Sequence, residues 1–164
     1  MAKVRITGLQ EYRAKIYALG KNSENIVKKA VYDGAKVAAD EVKARIEALP
    51  AVSNDKALAA YREQKPTNLS NAQKTSLISS FGLAPMRNDF GYINTKVGFD
   101  GYNKVRTKKY PNGQPNALIA RSVESGSTAL LKSPFVRPAA TACKAAAENA
   151  MEKRLNDEIE KIMK

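Results

Sequence analysis

The run Lys104-Val105-Arg106-Thr107-Lys108-Lys109-Tyr110 alternates cations with uncharged residues and has Tyr102 and Tyr110 at its flanks. Such a pattern can track a phosphate backbone while tyrosine stacks on a base or bonds a phosphate. It belongs to a longer stretch, Gly101 to Arg137, in which seven basic residues (Lys104, Arg106, Lys108, Lys109, Arg121, Lys132 and Arg137) face the single acid Glu124. That stretch supplies +6 of the formal +12 of the chain. A charge excess of this sign concentrates nucleic acid, anionic membrane or acidic protein around a molecule. The other reading is a solvated loop that serves solubility. No helix-turn-helix, zinc-finger or single-strand-binding aromatic signature accompanies the run, so any contact with nucleic acid is expected to be nonspecific.

Covalent chemistry has little to work with. There is no histidine and one cysteine, Cys143, which removes an internal disulfide, a Cys/His zinc site and any triad with an imidazole base. A Ser–Lys pair, a carboxylate pair or an activated thiol would remain. Cys143 falls on an alanine-rich helix face and reads as a small buried thiol. Glu124, within Arg121-Ser122-Val123-Glu124-Ser125-Gly126, has no nucleophile turn around it and reads as a salt-bridge partner for a nearby cation. Asp89 and Asp100 stand beside glycines in turn sequences, where aspartate bonds the local backbone, so no metal pair is expected. Gly98-Phe99-Asp100-Gly101 lacks the spacing and the Lys-Ser/Thr ending of a phosphate-cradling loop. No catalytic residue, metal or cofactor is assigned, and Lys104, Arg106, Lys108 and Lys109 stand as the candidate contact residues. No apolar run reaches the roughly 18 residues of a membrane span, and Met1 to Gly8 lacks the apolar stretch of a secretory signal. A soluble chain made in the cytoplasm, without membrane contact, is the expectation.

The elements that must position the basic run can be read from periodicity. Apolar types fill 43% of the 164 residues, 71 in all, but 25 of these are alanine. Since an alanine methyl offers little area to bury, close helix packing or a partner chain is expected to complete a thin core. Leu9, Tyr12, Ile16 and Leu19 line one face of a short helix that Gly20 should stop. A second helix is expected from Glu24 to Leu49, with Asn22 or Ser23 as cap, Val27, Val31, Ala35, Ala38, Val42, Ile46 and Leu49 inward, and Pro50 as terminator. Gly34 costs about 1 kcal/mol against alanine in a helix, so close approach of another backbone should compensate. Residues 51–75 read as a long, polar, partly mobile excursion that orders on assembly, in which Lys56 to Glu63 could form one or two helical turns before Lys65-Pro66-Thr67-Asn68 breaks them.

Glycines then cluster and the period changes to two. Leu77 to Leu83 and Ile93 to Phe99 read as strands joined by the turn residues Asn88-Asp89-Phe90-Gly91. Asn116 to Glu124 reads as a short helix with Leu118, Ile119 and Val123 inward, with a strand as the alternative. Pro138 suits the first turn of a final helix that runs to Met163, with Ala139, Ala140, Cys143, Ala147, Ala150, Met151, Leu155, Ile159 and Ile162 as its stripe. The sum is one α+β domain over 1–164: two N-terminal helices and a long C-terminal helix packed on a small, mainly antiparallel sheet.

Five segments in this order carry a family likeness: Ser80 to Arg87, Val97 to Asn103, Tyr110 to Pro115, Glu124-Ser125-Gly126-Ser127, and Pro134-Phe135-Val136-Arg137-Pro138-Ala139. Together they resemble the tail-component proteins of long-tailed bacteriophages, the minor neck or tail-completion family, and the likeness covers nearly the whole chain apart from residues 51–75. The resemblance implies a non-enzymatic virion protein, made in the bacterial host cytoplasm. It implies assembly as a ring at the head-tail junction, with other neck and tail proteins as partners and genomic DNA in the lumen. Lys104 to Lys109 are then expected to face the DNA path or an acidic neighbouring ring. The composition alone also permits a free nonspecific nucleic-acid-binding protein.

Overall fold

The structure, a computed structural model, describes residues 9–164; the Met1 to Gly8 start lies outside them. The α+β class is as expected, with helices dominating and short strands between them. The two expected N-terminal helices are a single one, α1 (Leu9–Ala48). Gly20 does not stop it because the polar residues that follow satisfy the helix rather than cap a new one. Asn22 donates to the Ala18 carbonyl at 2.9 Å and Ser23 to that of Gly20 at 2.8 Å, back-bonding that the helical path tolerates.

After α1 the chain forms β1 (Ala51–Val52), α2 (Asn54–Arg62), β2 (Leu69–Ser70) and α3 (Asn71–Ser80). The helical turns expected over Lys56 to Glu63 are α2, but the rest of 51–75 is more ordered than the expected loop, with two short strands and the start of α3. Two caps explain the order there. Ser53 accepts from the Lys56 N–H at the start of α2, and Ser70 exchanges bonds with Gln73 in a reciprocal capping box at the start of α3. β1 and β2 pair in parallel. The strand expected over Leu77 to Leu83 is helical as far as Ser80, with Leu77 fully buried.

A β-arm follows, built from β3 (Phe81–Leu83), β4 (Arg87–Asp89), β5 (Tyr92–Asn94) and β6 (Val97–Phe99). β3 pairs antiparallel with β6 and β4 with β5, so Ile93 to Phe99 is two strands rather than one. Three residues, 84–86, oppose only 95 and 96 between the two ladders, a one-residue bulge that shifts the register and bends the arm. Its tip is the two-residue turn Phe90-Gly91, both at positive φ (54° and 90°), the geometry of a type I′ hairpin. The arm lies back along α1, which brings Asn88 beside Glu24.

α4 (Asn116–Ser125) is the expected short helix, and α5 (Val136–Met163) is the long final one. α5 runs antiparallel along α1. Lys15 donates to the terminal carbonyls of Met163 and Lys164 at 2.8 and 3.1 Å, and Arg154 pairs with Asp33. The inward stripe of α1 is displaced by one position from the expected one in its first half. Ile26, Ala30 and Gly34 are buried, while Val27 is exposed. The reason is closeness: a Cβ on Gly34 would stand 2.6 Å from Met151 Cγ and 3.2 Å from the Ala147 carbonyl oxygen, so the narrowest residues take the contact line. On α5, Ala140 and Ile159 are exposed, and Glu158 is buried in their stead. Its carboxylate accepts from Lys161 at 2.7 Å and Lys29 at 2.6 Å. Those two ammonium groups, Lys161 first, lower its pKa to about 2.

The main core gathers at the C-terminal end of α1. Val42, Ile46 and Leu49 meet Leu69, Leu77, Ile119, Val123, Leu130, Phe135 and Ala139 there. Phe99 stands between Phe81 and Phe135, with ring centroids 5.1 and 6.1 Å away, and so ties the base of the arm to the entry of α5.

Candidate functional site

The basic run is held by a closed ring of backbone bonds at its base. Asn103 is buried; its N–H donates to the Gln114 carbonyl at 2.9 Å, and its side-chain oxygen accepts from the N–H groups of Val105 and Gln114. Gln73 of α3 reaches the Gln114 side chain at 3.0 Å, linking this base to the core. Gly113, at φ 108°, is required twice over, because an added Cβ would also collide with the Asn103 carbonyl oxygen. At the far end Thr107 and Tyr110 exchange backbone bonds, which makes a compact turn of Lys108-Lys109.

With the base fixed, the alternation in sequence becomes alternation in space. Lys104, Arg106, Lys108 and Lys109 are all exposed, whereas Val105, Thr107 and Tyr110 are half-buried. Among the described residues none of the four cations has a carboxylate within ion-pair distance. Lys109 lies over the Tyr110 ring, 5.7 Å from its centroid, a cation–π contact that occupies one of the two flanking tyrosines. Tyr102 stays exposed.

The four cations do not all border the same groove. Lys104 and Arg106 stand on the rim of a groove of about 480 Å³ between α2, the start of α3 and α4. Lys108 and Lys109 are not on it. Leu58 and Tyr61 of α2, Val105 and Leu118 give this groove an apolar floor, and among the described residues its only charged lining is the two cations. The groove was not legible in the sequence, because nothing local shows that the helical turns of α2 come to lie beside the basic run. The exposed pair Leu58 and Tyr61, one turn apart, is the signal that points to it.

The groups weighed for chemistry take up local work. Cys143 is buried. Asp100 accepts from the Gly101 N–H at 2.6 Å and Asp89 from Asn94 at 2.9 Å. No group of three or more Cys, Asp or Glu gathers among the described residues. Glu124 does more than the expected ion pair. Arg137 stands 3.8 Å away, but the carboxylate chiefly accepts the backbone N–H groups of Phe135, Val136 and Arg137 at 2.7, 2.9 and 3.1 Å. It thereby caps α5 from a distant position in the chain. Burial would raise its pKa, yet the three N–H bonds, with help from Arg137, outweigh burial and hold it below 4.5.

Among the described residues no helix is long and apolar enough to cross a membrane. Comparison of the chain with protein-family models, curated proteins and solved structures gives no match.

Proposed function

We propose that this chain is a non-enzymatic structural subunit of a phage neck or tail, assembling as a ring at the head-tail junction in tail completion or joining. The observation that supports this most is the rigidly based basic loop, whose four cations face solvent unpaired. A subunit of that kind meets an anionic surface, either DNA in the lumen or an acidic neighbouring ring, by charge and shape. The ordered series of five sequence segments gives the class of assembly. The narrow helix interface and modest core also suit a chain that buries further surface between neighbours.

The experiment replaces Lys104, Arg106, Lys108 and Lys109 together with glutamine in the phage. All four are exposed, so folding stability should stay within about 0.5 kcal/mol of the parent, while joined, DNA-retaining infectious particles should be lost. Unchanged infectivity and DNA retention would end the reading. Electron microscopy of particles lacking the protein should show filled heads beside finished tails; overlong tails would indicate length control instead. The unpaired cations also favour a second reading, a free nonspecific nucleic-acid binder. Four phosphate contacts would then give a slope of log affinity against log salt near −3 to −4, whereas a neck subunit alone binds DNA feebly.

A further inference from the structure

The tip of the β-arm is built against local preference. Type I′ turns favour asparagine and glycine because both central residues need positive φ, a region that disfavours a bulky side chain. Phe90 occupies it at φ 54° and is fully exposed. Tyr92, opposite Asp89 across the ladder, is exposed as well. The tip is therefore a protruding pair of aromatic rings beside one carboxylate, with the exposed Arg87 two residues farther down the arm.

At the other end of the molecule lies a feature of matching character. The groove beneath the basic loop has an apolar floor that includes Leu58, Tyr61 and Leu118, and two cations, Lys104 and Arg106, at its rim. Its volume of about 480 Å³ can receive aromatic rings, and the rim cations are complementary to Asp89. Asn88, beside the tip, touches Glu24 of α1. Gln73, on the groove wall, adjoins Lys74, which bonds the Leu49 carbonyl at 2.7 Å. At about 1.5 Å per helical residue, Glu24 and Ala48, the α1 residue next to Leu49, stand roughly 36 Å apart. One chain cannot fold its own tip into its own groove.

We infer that the Phe90 tip of one copy docks in the Leu58–Tyr61–Leu118 groove of the next, with Asp89 beside Lys104 and Arg106. Such a contact joins unlike surfaces, so it is head-to-tail and propagates until a rotation closes it. The two aromatic rings would bury roughly 150–250 Å² each, less than the about 800 Å² per partner of a stable complex. The isolated contact is therefore reversible and salt-sensitive, and it consolidates when a ring closes. The inference deepens the ring reading above and rests on it only for closure.

The test uses the full chain with two dead-end variants, Phe90→Ser at the tip and Leu58→Glu in the groove, with Tyr61→Glu as a second groove variant. Phe90 and the α2 residues contribute nothing buried, so thermal unfolding should be unchanged. In sedimentation velocity the wild-type chain should grow beyond a dimer with concentration, and each variant alone should stay monomeric. A mixture of Phe90→Ser with Leu58→Glu should form one-to-one dimers and stop there, since only one working tip and one working groove can meet. A wild-type chain that stays monomeric over its soluble range, a tip variant that assembles like wild type, or a mixture that stays monomeric would overturn the contact. If Phe90→Ser particles join heads to tails normally, the contact falls and the virion reading survives. If the dimers form but purified virions lack the protein, the virion reading falls and the contact survives.

Discussion

Replacing Glu124 tests whether the α4–α5 junction is held by one carboxylate. Its Oε2 accepts from Phe135 and Val136, and its Oε1 accepts from Arg137. The side chain is only 12% exposed, so water cannot readily replace it. A capping side chain is typically worth about 1 kcal/mol and a hydrogen bond to a charged group about 1.5–3 kcal/mol. These bonds share one acceptor group and cannot be summed in full, so Glu124→Ala should destabilise by about 3 kcal/mol. In Glu124→Gln the amide oxygen can keep the Phe135 and Val136 bonds, but its NH₂ then opposes the Arg137 N–H, and the charge at the helix N-terminus is gone; about 1.5 kcal/mol is expected. Urea unfolding followed by helical circular dichroism, with equal slopes for all three proteins, gives the differences. The lowered carboxyl pKa adds a sign. The contribution of Glu124 is complete above the ordinary glutamate value and fades as pH falls through the folded value, so the gap between wild type and Glu124→Gln should narrow in acid. A loss under about 0.5 kcal/mol for Glu124→Ala, or a gap independent of pH, would refute the capping role.

The Glu158 cluster should make its own acid transition. With its folded pKa at about 2 and an unfolded value near 4.5, its stabilisation is full above 4.5 and disappears as pH falls toward 2; Glu158→Gln should remove that part of the slope in acid unfolding curves. Gly113→Ala, strained at φ 108° and colliding with the Asn103 carbonyl, should destabilise by about 2 kcal/mol. Limited trypsin digestion should then cut first between Lys104 and Lys109, where the wild-type loop resists; an unchanged cleavage pattern would show that the base does not hold the loop.

Helix periodicity made α4, α5 and the later half of α1 legible, because Val42, Ile46, Ile119 and Val123 are bulky and strictly spaced. It failed where side chains are small or charged. The line of closest approach on α1 runs through Ala30 and Gly34, which carry almost no apolar signal, so the adjacent valines attracted the assignment. Glu158 is held under cover by Lys161 of its own helix and by Lys29, 129 positions earlier, and no local pattern announces the second. The arm turn was visible in Asn88-Asp89-Phe90-Gly91, but its register was not, since the bulge at 84–86 depends on pairing between strands. The basic residues were read by type and spacing. That Lys104 and Arg106 border an apolar groove depends on where α2 packs; its turns between Ser53 and Glu63 were legible, but their placement against residues some fifty positions later was not.

The α1–α5 pair raises a question of register that its composition alone does not answer. Alanine and glycine faces slide past one another with little loss of contact, and a slip of one turn shifts a helix by about 5.4 Å. Here the register is pinned by polar links at distinct levels: Lys15 on the α5 terminal carbonyls, Lys29 on Glu158, and Asp33 on Arg154. A slip would separate every one of these inter-helix partners and leave Glu158 with only Lys161 and Arg154 of its own helix. The links therefore serve specificity more than gross stability. They fix how far along α1 the arm and the core sit, and hence the distance between the aromatic tip and the groove that a neighbouring copy would have to match.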